Sequence, residues 1–410
     1  MSYLVTMSMS SELCELRREK KYHELIVRVR SAVLENHAEA LADWQVKAWC
    51  AERWQNLFLT EAVKDERALK AAKKLKAVLN KKKSDRQWIA ERYLRESGRS
   101  VWSKSLPSAQ FTGLENTTFI FCPGLLNGLL PVRAFQEALP EIEREYGCKI
   151  IRADLHPLAG CDANAVNLAK AIELGVGLNA GRELIDEKSA KAPGDVFLLG
   201  YSKGMADILT LLVDRPDLAP RIRCVFSWAG AVGGSYVGDD AAKALDKVDE
   251  NPELLSKVVT SLAPFAKLPE IVDRRKDETE IKNALLHLTT QYRQDFMLRH
   301  EEEINDLGIP IFNLTGSTST MEVPSFQMQG ALKLGKYDEN NDMQLTQDQA
   351  KVKMPMGTDL AMLHGHHWDL SYDCFPKSIR MSSPNLDHPF PKKAALLASF
   401  QLAQELGLVS

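Results

Sequence analysis

No glycine precedes Gly98 and no proline precedes Pro107 in this 410-residue chain. A first quarter free of both backbone breakers, and rich in Ala, Leu, Glu, Lys and Arg, excludes frequent turns and predicts three or four helices. No run of eighteen apolar residues occurs, so no membrane-spanning helix is expected. The amino end, Met1-Ser-Tyr-Leu-Val-Thr-Met-Ser, lacks a basic start and a long apolar core, and is not read as a secretory signal. Seven cysteines, odd in number and scattered, give no disulfide framework. A cytoplasmic location is the expectation, with export by a route that needs no cleavable signal left open. Internal repeats and low-complexity tracts are also missing.

The net charge of −3 becomes informative once divided. Residues 1–105 carry 22 Lys/Arg against 14 Asp/Glu, a surplus of +8, which leaves −11 for the remainder. This asymmetry predicts two modules, a helical one over 1–105 and a second over 106–410. In the first, Ser10 and Ser11 are expected to cap the first helix. Trp44, Ala48, Cys50, Trp54, Leu57 and Phe58 form a stripe at helical spacing that is expected to be packing core. From Lys64 to Arg86 there are ten Lys/Arg against three acidic residues. A solvated helix face is the plain reading of that run, and a peripheral contact with an anionic membrane surface is the alternative. Nucleic acid is not expected as a partner, because neither a binding motif nor aromatic interleaving accompanies the charge.

The chemistry lies in the second module. Val196-Phe-Leu-Leu-Gly-Tyr-Ser-Lys-Gly204 is a short apolar run closing in Gly-x-Ser-x-Gly, followed by the helical pattern Met205 to Val213. A serine on a tight strand-to-helix turn is thrust out at the carboxyl edge of a sheet, as in a nucleophile elbow. Gly200 and Gly204 sit where a side chain would strike the neighbouring strand or helix. Upstream, Thr117-Thr-Phe-Ile-Phe-Cys122 reads as a strand ending in the Gly-rich turn Pro-Gly-Leu-Leu-Asn-Gly128. Acyl transfer needs two N–H donors aimed at the developing oxyanion, and the amides of Leu125 and Lys203 are the natural pair.

Downstream, His364, His366 and His367 crowd into Leu363-His-Gly-His-His-Trp-Asp-Leu370. A neutral imidazole must take the serine proton and needs a carboxylate on its other nitrogen. The acid is sought between Ser202 and these histidines, after the strand Gly308 to Gly316, where Asp338, Asp342 and Asp348 are candidates. A metal site built from His364, His366 and Asp369 is the rival use of the cluster, but no second ligand group stands out elsewhere.

With strand, Gly-rich turn, elbow, acid and histidine in this order, the chain from about residue 110 onward resembles the α/β-hydrolase family, nearest its lipase and esterase branch. The resemblance implies a mostly parallel central sheet flanked by helices. His-x-Asp-Leu is how lipases often present their histidine, which points to His367. Asn341-Asp342-x-x-Leu345 resembles the Asn-Asp-Gly-x-Val turn that carries the acid in many lipases, which points to Asp342. Cys224-Val-Phe-Ser-Trp-Ala-Gly-Ala-Val-Gly-Gly-Ser-Tyr-Val-Gly-Asp239 is similar to a strand and Gly-Ser-x-x-Ala-Asp loop of bacterial lipases, with Gly238 in place of Ala. The sequence departs from the family at Pro123-Gly124, where His-Gly is common; the donors are main-chain groups, so the departure weakens the resemblance more than the mechanism. A helical cap is expected at about 239–305. The implied activity is ester hydrolysis through Ser202, His367 and Asp342, on a small-molecule acyl ester and without metal or organic cofactor. A thioesterase or acyltransferase using the same triad, and a non-catalytic binding module, are the alternatives.

Overall fold

The computed structural model describes residues 9–74, 82–109, 111–246, 280–381 and 383–410. Eight strands form one sheet in the order β4-β3-β2-β1-β5-β6-β7-β8. They are β1 (Thr117–Cys122), β2 (Ile150–Arg152), β3 (Gly177–Asn179), β4 (Leu184–Ile185), β5 (Asp195–Tyr201), β6 (Ile222–Trp228), β7 (Ile311–Ser317) and β8 (Gly357–His364). The pairs from β2 through β8 are parallel, and β3 and β4 join as antiparallel edge strands.

Side chains alternate across each strand, so a sheet buried on both faces divides its apolar residues between two cores. Phe119, Phe121, Phe197, Leu199, Phe226 and Trp228 belong to one core, and Ile120, Cys122, Leu198 and Val225 to the other. The second core is closed by α8 (Cys161–Leu174), α9 (Lys203–Asp214) and α12 (Thr290–Asp306), which supply Leu168, Ile208 and Phe296. The first core runs without a break into α7 (Ala138–Tyr146), α15 (Lys392–Glu405) and the amino-terminal helices.

Those helices are α1 (Met9–Arg18), α2 (Tyr22–Glu35), α3 (His37–Ala42), α4 (Trp44–Ala62), α5 (Glu66–Lys73) and α6 (Asp85–Tyr93). The described residues of the first module thus hold six α-helices, more than the three or four expected. Glycine and proline are not needed to end a helix, because polar side chains restart the chain instead. Asn36, Asp43, Asp65 and Ser84 each accept a backbone N–H at the head of the next helix. Ser10 and Ser11 do not cap, since α1 already begins at Met9 and the Ser10 hydroxyl bonds to the Asp43 carboxylate.

The helix α4 lies against α15 and β8. Trp54 Nε1 donates to Ser399 Oγ at 3.0 Å, and the Trp54, Phe58 and Phe390 rings stack in series. Fully buried Arg53 forks onto Glu405 at 2.6–3.0 Å and reaches the Pro107 carbonyl at 2.7 Å. Trp44, expected in this core, is exposed. An edge strand offers unpaired carbonyls, and the amino-terminal helices cover those of β8. Gln55 donates to the Leu360 carbonyl at 2.8 Å, and Arg95 N to the Met362 carbonyl at 2.9 Å.

Within the basic segment, residues 75–81 lie outside the described residues. Lys64, Lys73 and Lys83 pair with Glu61, Asp85 and Glu91, while Arg86 donates to Thr60 Oγ1. The expected cap also falls partly outside, at 247–279. Its described parts are α10 (Tyr236–Asp246) and α11 (Ile281–Leu286), beyond which α12 packs against α9 as the crossover into β7. Two shorter helices, α13 (Met328–Leu334) and α14 (Lys377–Arg380), lie in the connections on either side of β8.

Candidate active site

The turn between β5 and α9 holds Ser202 at φ 55°, ψ −124°, a left-handed backbone that a non-glycine residue adopts only at a cost. The surroundings impose it. Ser202 N donates to the Trp228 carbonyl at 3.2 Å, and the Ser202 carbonyl accepts Met205 N at 3.1 Å and Ala231 N at 2.9 Å. A Cβ on Gly204 would sit 2.1 Å from the Cys122 carbonyl oxygen, so only glycine lets α9 start this close to β1. A Cβ on Gly124 would lie 2.8 Å from Ser202 Cβ, which measures how tightly the loop after β1 presses on the serine.

His367 and Asp342 come from the loops after β8 and β7, at the same end of the sheet as Ser202. His367 Nδ1 and Asp342 Oδ2 are 2.7 Å apart, and both residues are buried. The other Asp342 oxygen accepts Gln344 N at 2.9 Å and Leu345 N at 2.7 Å. A further bond from His367 N to the Asp342 carbonyl, 2.8 Å, locks the two loops together. His367 Nε2 is buried without a hydrogen-bond partner among the described residues. Ser202 and His367 both line a cavity of about 550 Å³, walled by Leu125, Leu130, Leu285, Leu288 and Phe326.

The remaining candidates part company with this pair. His364 Nε2 meets Glu322 Oε2 at 2.7 Å. Burial raises the Glu322 carboxyl, but the hydrogen bond and charge of His364, with Arg92, outweigh it and hold its pKa at about 2. His366 Nε2 faces the Asn385 carbonyl at 3.1 Å, its Nδ1 accepts Asp369 N at 3.2 Å, and burial pushes its pKa below the ordinary value. His364, His366 and Asp369 therefore do not converge, and no group of three metal-ligating side chains forms among the described residues. Asp338 ties its own turn, accepting Asn340 N and Gln347 N at 2.8 Å each, and Asp348 pairs with Lys353.

Leu125 stands on the cavity wall. Lys203 opens α9, so its amide is among the helix's first N–H groups, while its side chain is buried against Asp207 at 2.6 Å. Burial opposes the Lys203 charge, yet the Asp207 carboxylate more than offsets it and the pKa is raised. Asn164 Nδ2 holds the other Asp207 oxygen at 3.0 Å.

Tyr201 escaped the sequence reading, although its place before the serine was a usable signal. Its ring lies 5.1 Å from the His367 ring at 30°, and its hydroxyl donates to the His367 carbonyl at 3.1 Å. Ser235 is a second such residue: its hydroxyl donates to the Gln344 carbonyl at 2.7 Å, bracing the loop that carries Asp342.

Among solved structures, the chain is similar to the metagenomic carboxyl esterase MGS0156, with a TM-score of 0.56 and 20% identity over 82% of this chain and 90% of that one. The chain has the α/β-hydrolase fold. The mature Bacillus licheniformis lipase BlEst2 is also similar, with a TM-score of 0.42 and 18% identity over 65% of this chain and 89% of that one. No family model and no curated protein matches the sequence. The turn holding Ser202 follows β5, the loop holding Asp342 follows β7 and the loop holding His367 follows β8.

Proposed function

We propose that this protein is a serine hydrolase that cleaves carboxylic esters with an apolar acyl part. One observation carries the reading: His367 holds Asp342 through Nδ1 at 2.7 Å while its unpartnered Nε2 and Ser202 border one largely apolar cavity. A carboxylate on Nδ1–H fixes the tautomer that leaves Nε2 free to accept a proton. Ser202 Oγ then attacks the ester carbonyl as its proton passes to His367 Nε2. The Leu125 and Lys203 amides donate to the oxyanion, whose charge exists only in the transition state. His367 returns the proton to the departing alkoxide, and water, activated by the same nitrogen, hydrolyses the acyl-enzyme. The sequence needs no metal or organic cofactor.

Labelling with a fluorophosphonate probe tests the nucleophile. The parent protein should label and turn over p-nitrophenyl esters, and Ser202→Ala should do neither while remaining folded. A folded parent that does not label refutes the reading and favours a binding module. A panel of matched oxygen esters and thioesters, with and without an alcohol acceptor, separates ester hydrolysis from thioester hydrolysis and acyl transfer.

A further inference from the structure

The loop after β1 has two sides. Leu125, Leu126 and Leu130 face the apolar cavity, whereas Pro123, Asn127 and Arg133 line a second pocket of about 520 Å³. Two more arginines, Arg152 and Arg182, complete that second pocket, and the carboxylate lining it is Asp154, which is exposed. The cations do not meet by the wandering of long side chains. Arg152 is buried on β2 and donates to the Ala180 carbonyl at 3.1 Å, the Ala134 carbonyl at 2.8 Å and the Phe135 carbonyl at 2.7 Å. It thereby staples the segment bearing Arg133 to the turn bearing Arg182. Gln136 Oε1 adds a second tie, accepting Arg133 N at 3.1 Å and Arg182 Nη1 at 3.4 Å.

Backbone strain marks the same place, with Phe135 at φ 50° and Arg182 at φ 76°. Strained, non-glycine backbone that its neighbours hold in place often accompanies a binding site. Burial, then the charges of Arg182 and Arg133, depress the Arg152 pKa to about 9, and burial with Arg182 lowers that of Arg133. The fold thus assembles mutually repelling cations whose repulsion the Asp373 charge offsets only in part. A carboxylate has two oxygens and satisfies one guanidinium fork. A phosphate offers three or more in different directions and can engage several forks at once.

We propose that this pocket binds a phosphate group through Arg133, Arg152 and Arg182, at a site separate from the ester cavity. Inorganic phosphate, titrated into the full chain at constant ionic strength, should raise the melting temperature saturably, as a ligand of the native state must. Matched chloride should not. Arg133→Gln with Arg182→Gln should weaken the apparent affinity tenfold or more; Arg152 is left alone because it staples the fold. Each single substitution is read as well, so that an unfolded double variant still leaves the proposal exposed. Ser202→Ala should bind phosphate as the parent does. Glycerol phosphate, titrated in parallel, separates free phosphate from a phosphomonoester, and binding of either supports the site. The proposal falls if neither binds above the chloride response, or if the folded arginine variants bind phosphate as tightly as the parent. It falls equally if Ser202→Ala abolishes binding, which would put the ion in the ester cavity.

Discussion

Asp342→Asn removes one charge and almost no volume, yet the structure predicts a large loss of activity for a tautomeric reason. Asp342 Oδ1 accepts two backbone amides, Gln344 N at 2.9 Å and Leu345 N at 2.7 Å, while Oδ2 faces His367 Nδ1 at 2.7 Å. An asparagine keeps the two amide bonds by turning its oxygen toward them, and its NH₂ then points at Nδ1. Flipping the amide would gain one bond to the imidazole but abandon two buried N–H groups, at a cost of about 1–3 kcal/mol each. The unflipped state wins, Nδ1 must accept, and the ring proton moves to Nε2. An imidazole protonated at Nε2 cannot take the serine proton. The analogous exchange in a serine protease lowers kcat by about 10⁴, or roughly 5.5 kcal/mol of barrier. The same order is expected here for kcat/KM on p-nitrophenyl esters, with urea unfolding nearly unchanged. Nitrogen-15 shifts of the His367 ring should report the exchanged tautomer. A variant within tenfold of the parent, or one with an unchanged tautomer, refutes the argument. Asp338→Asn, which touches only its own turn, should lose far less.

Ser202→Gly should abolish probe labelling and raise the urea unfolding free energy by about 1 kcal/mol, because glycine relieves the positive φ; Ser202→Ala should not be stabilised in this way. Trp54→Ala should cost about 3–5 kcal/mol in the same assay, since Trp54 is fully buried between α4 and α15 and bonded to Ser399. A chain starting at Ser105 should aggregate, and a stable, active, monomeric fragment would contradict the shared core. Burial pushes His364, His366 and His388 below the ordinary histidine range. Below pH of about 6.5 the unfolded chain takes up protons on these rings before the folded one does, so stability should fall from pH 7 to pH 5. A flat or rising urea midpoint over that range would refute the burial argument.

Local pattern was enough to find β1, β5 and α9, because a strand buried on both faces is a short apolar run and a helix declares its own period. It was enough to put Ser202 on the tight turn between β5 and α9 too: the steric demand for glycine at positions 200 and 204 is made within five residues. The helix count in the first hundred residues was legible only in part. Asn36, Asp43, Asp65 and Ser84 end and restart helices through side-chain bonds, which a search for glycine and proline passes over. Trp44 and Trp54 share a stripe at helical spacing, yet one is exposed and the other fully buried. Spacing defines a face, and the partner helix decides how far along that face contact extends.

Three histidines within four residues are indistinguishable by composition. Their fates are set by partners far away in the chain: Glu322 for His364, Asn385 for His366 and Asp342 for His367. Resemblance to lipases pointed to His367 and Asp342, but only the packing of the loops after β7 and β8 brings that carboxylate to Nδ1. The arginine pocket has no local signature at all. Arg133, Arg152 and Arg182 sit on a loop, a strand and a turn, and they meet because the Arg152 guanidinium binds carbonyls from both of the other segments. Sequence therefore determined the elements whose forces act between near neighbours. The site's electrostatics belong to tertiary structure, because charges and hydrogen-bond partners act through space and not along the chain.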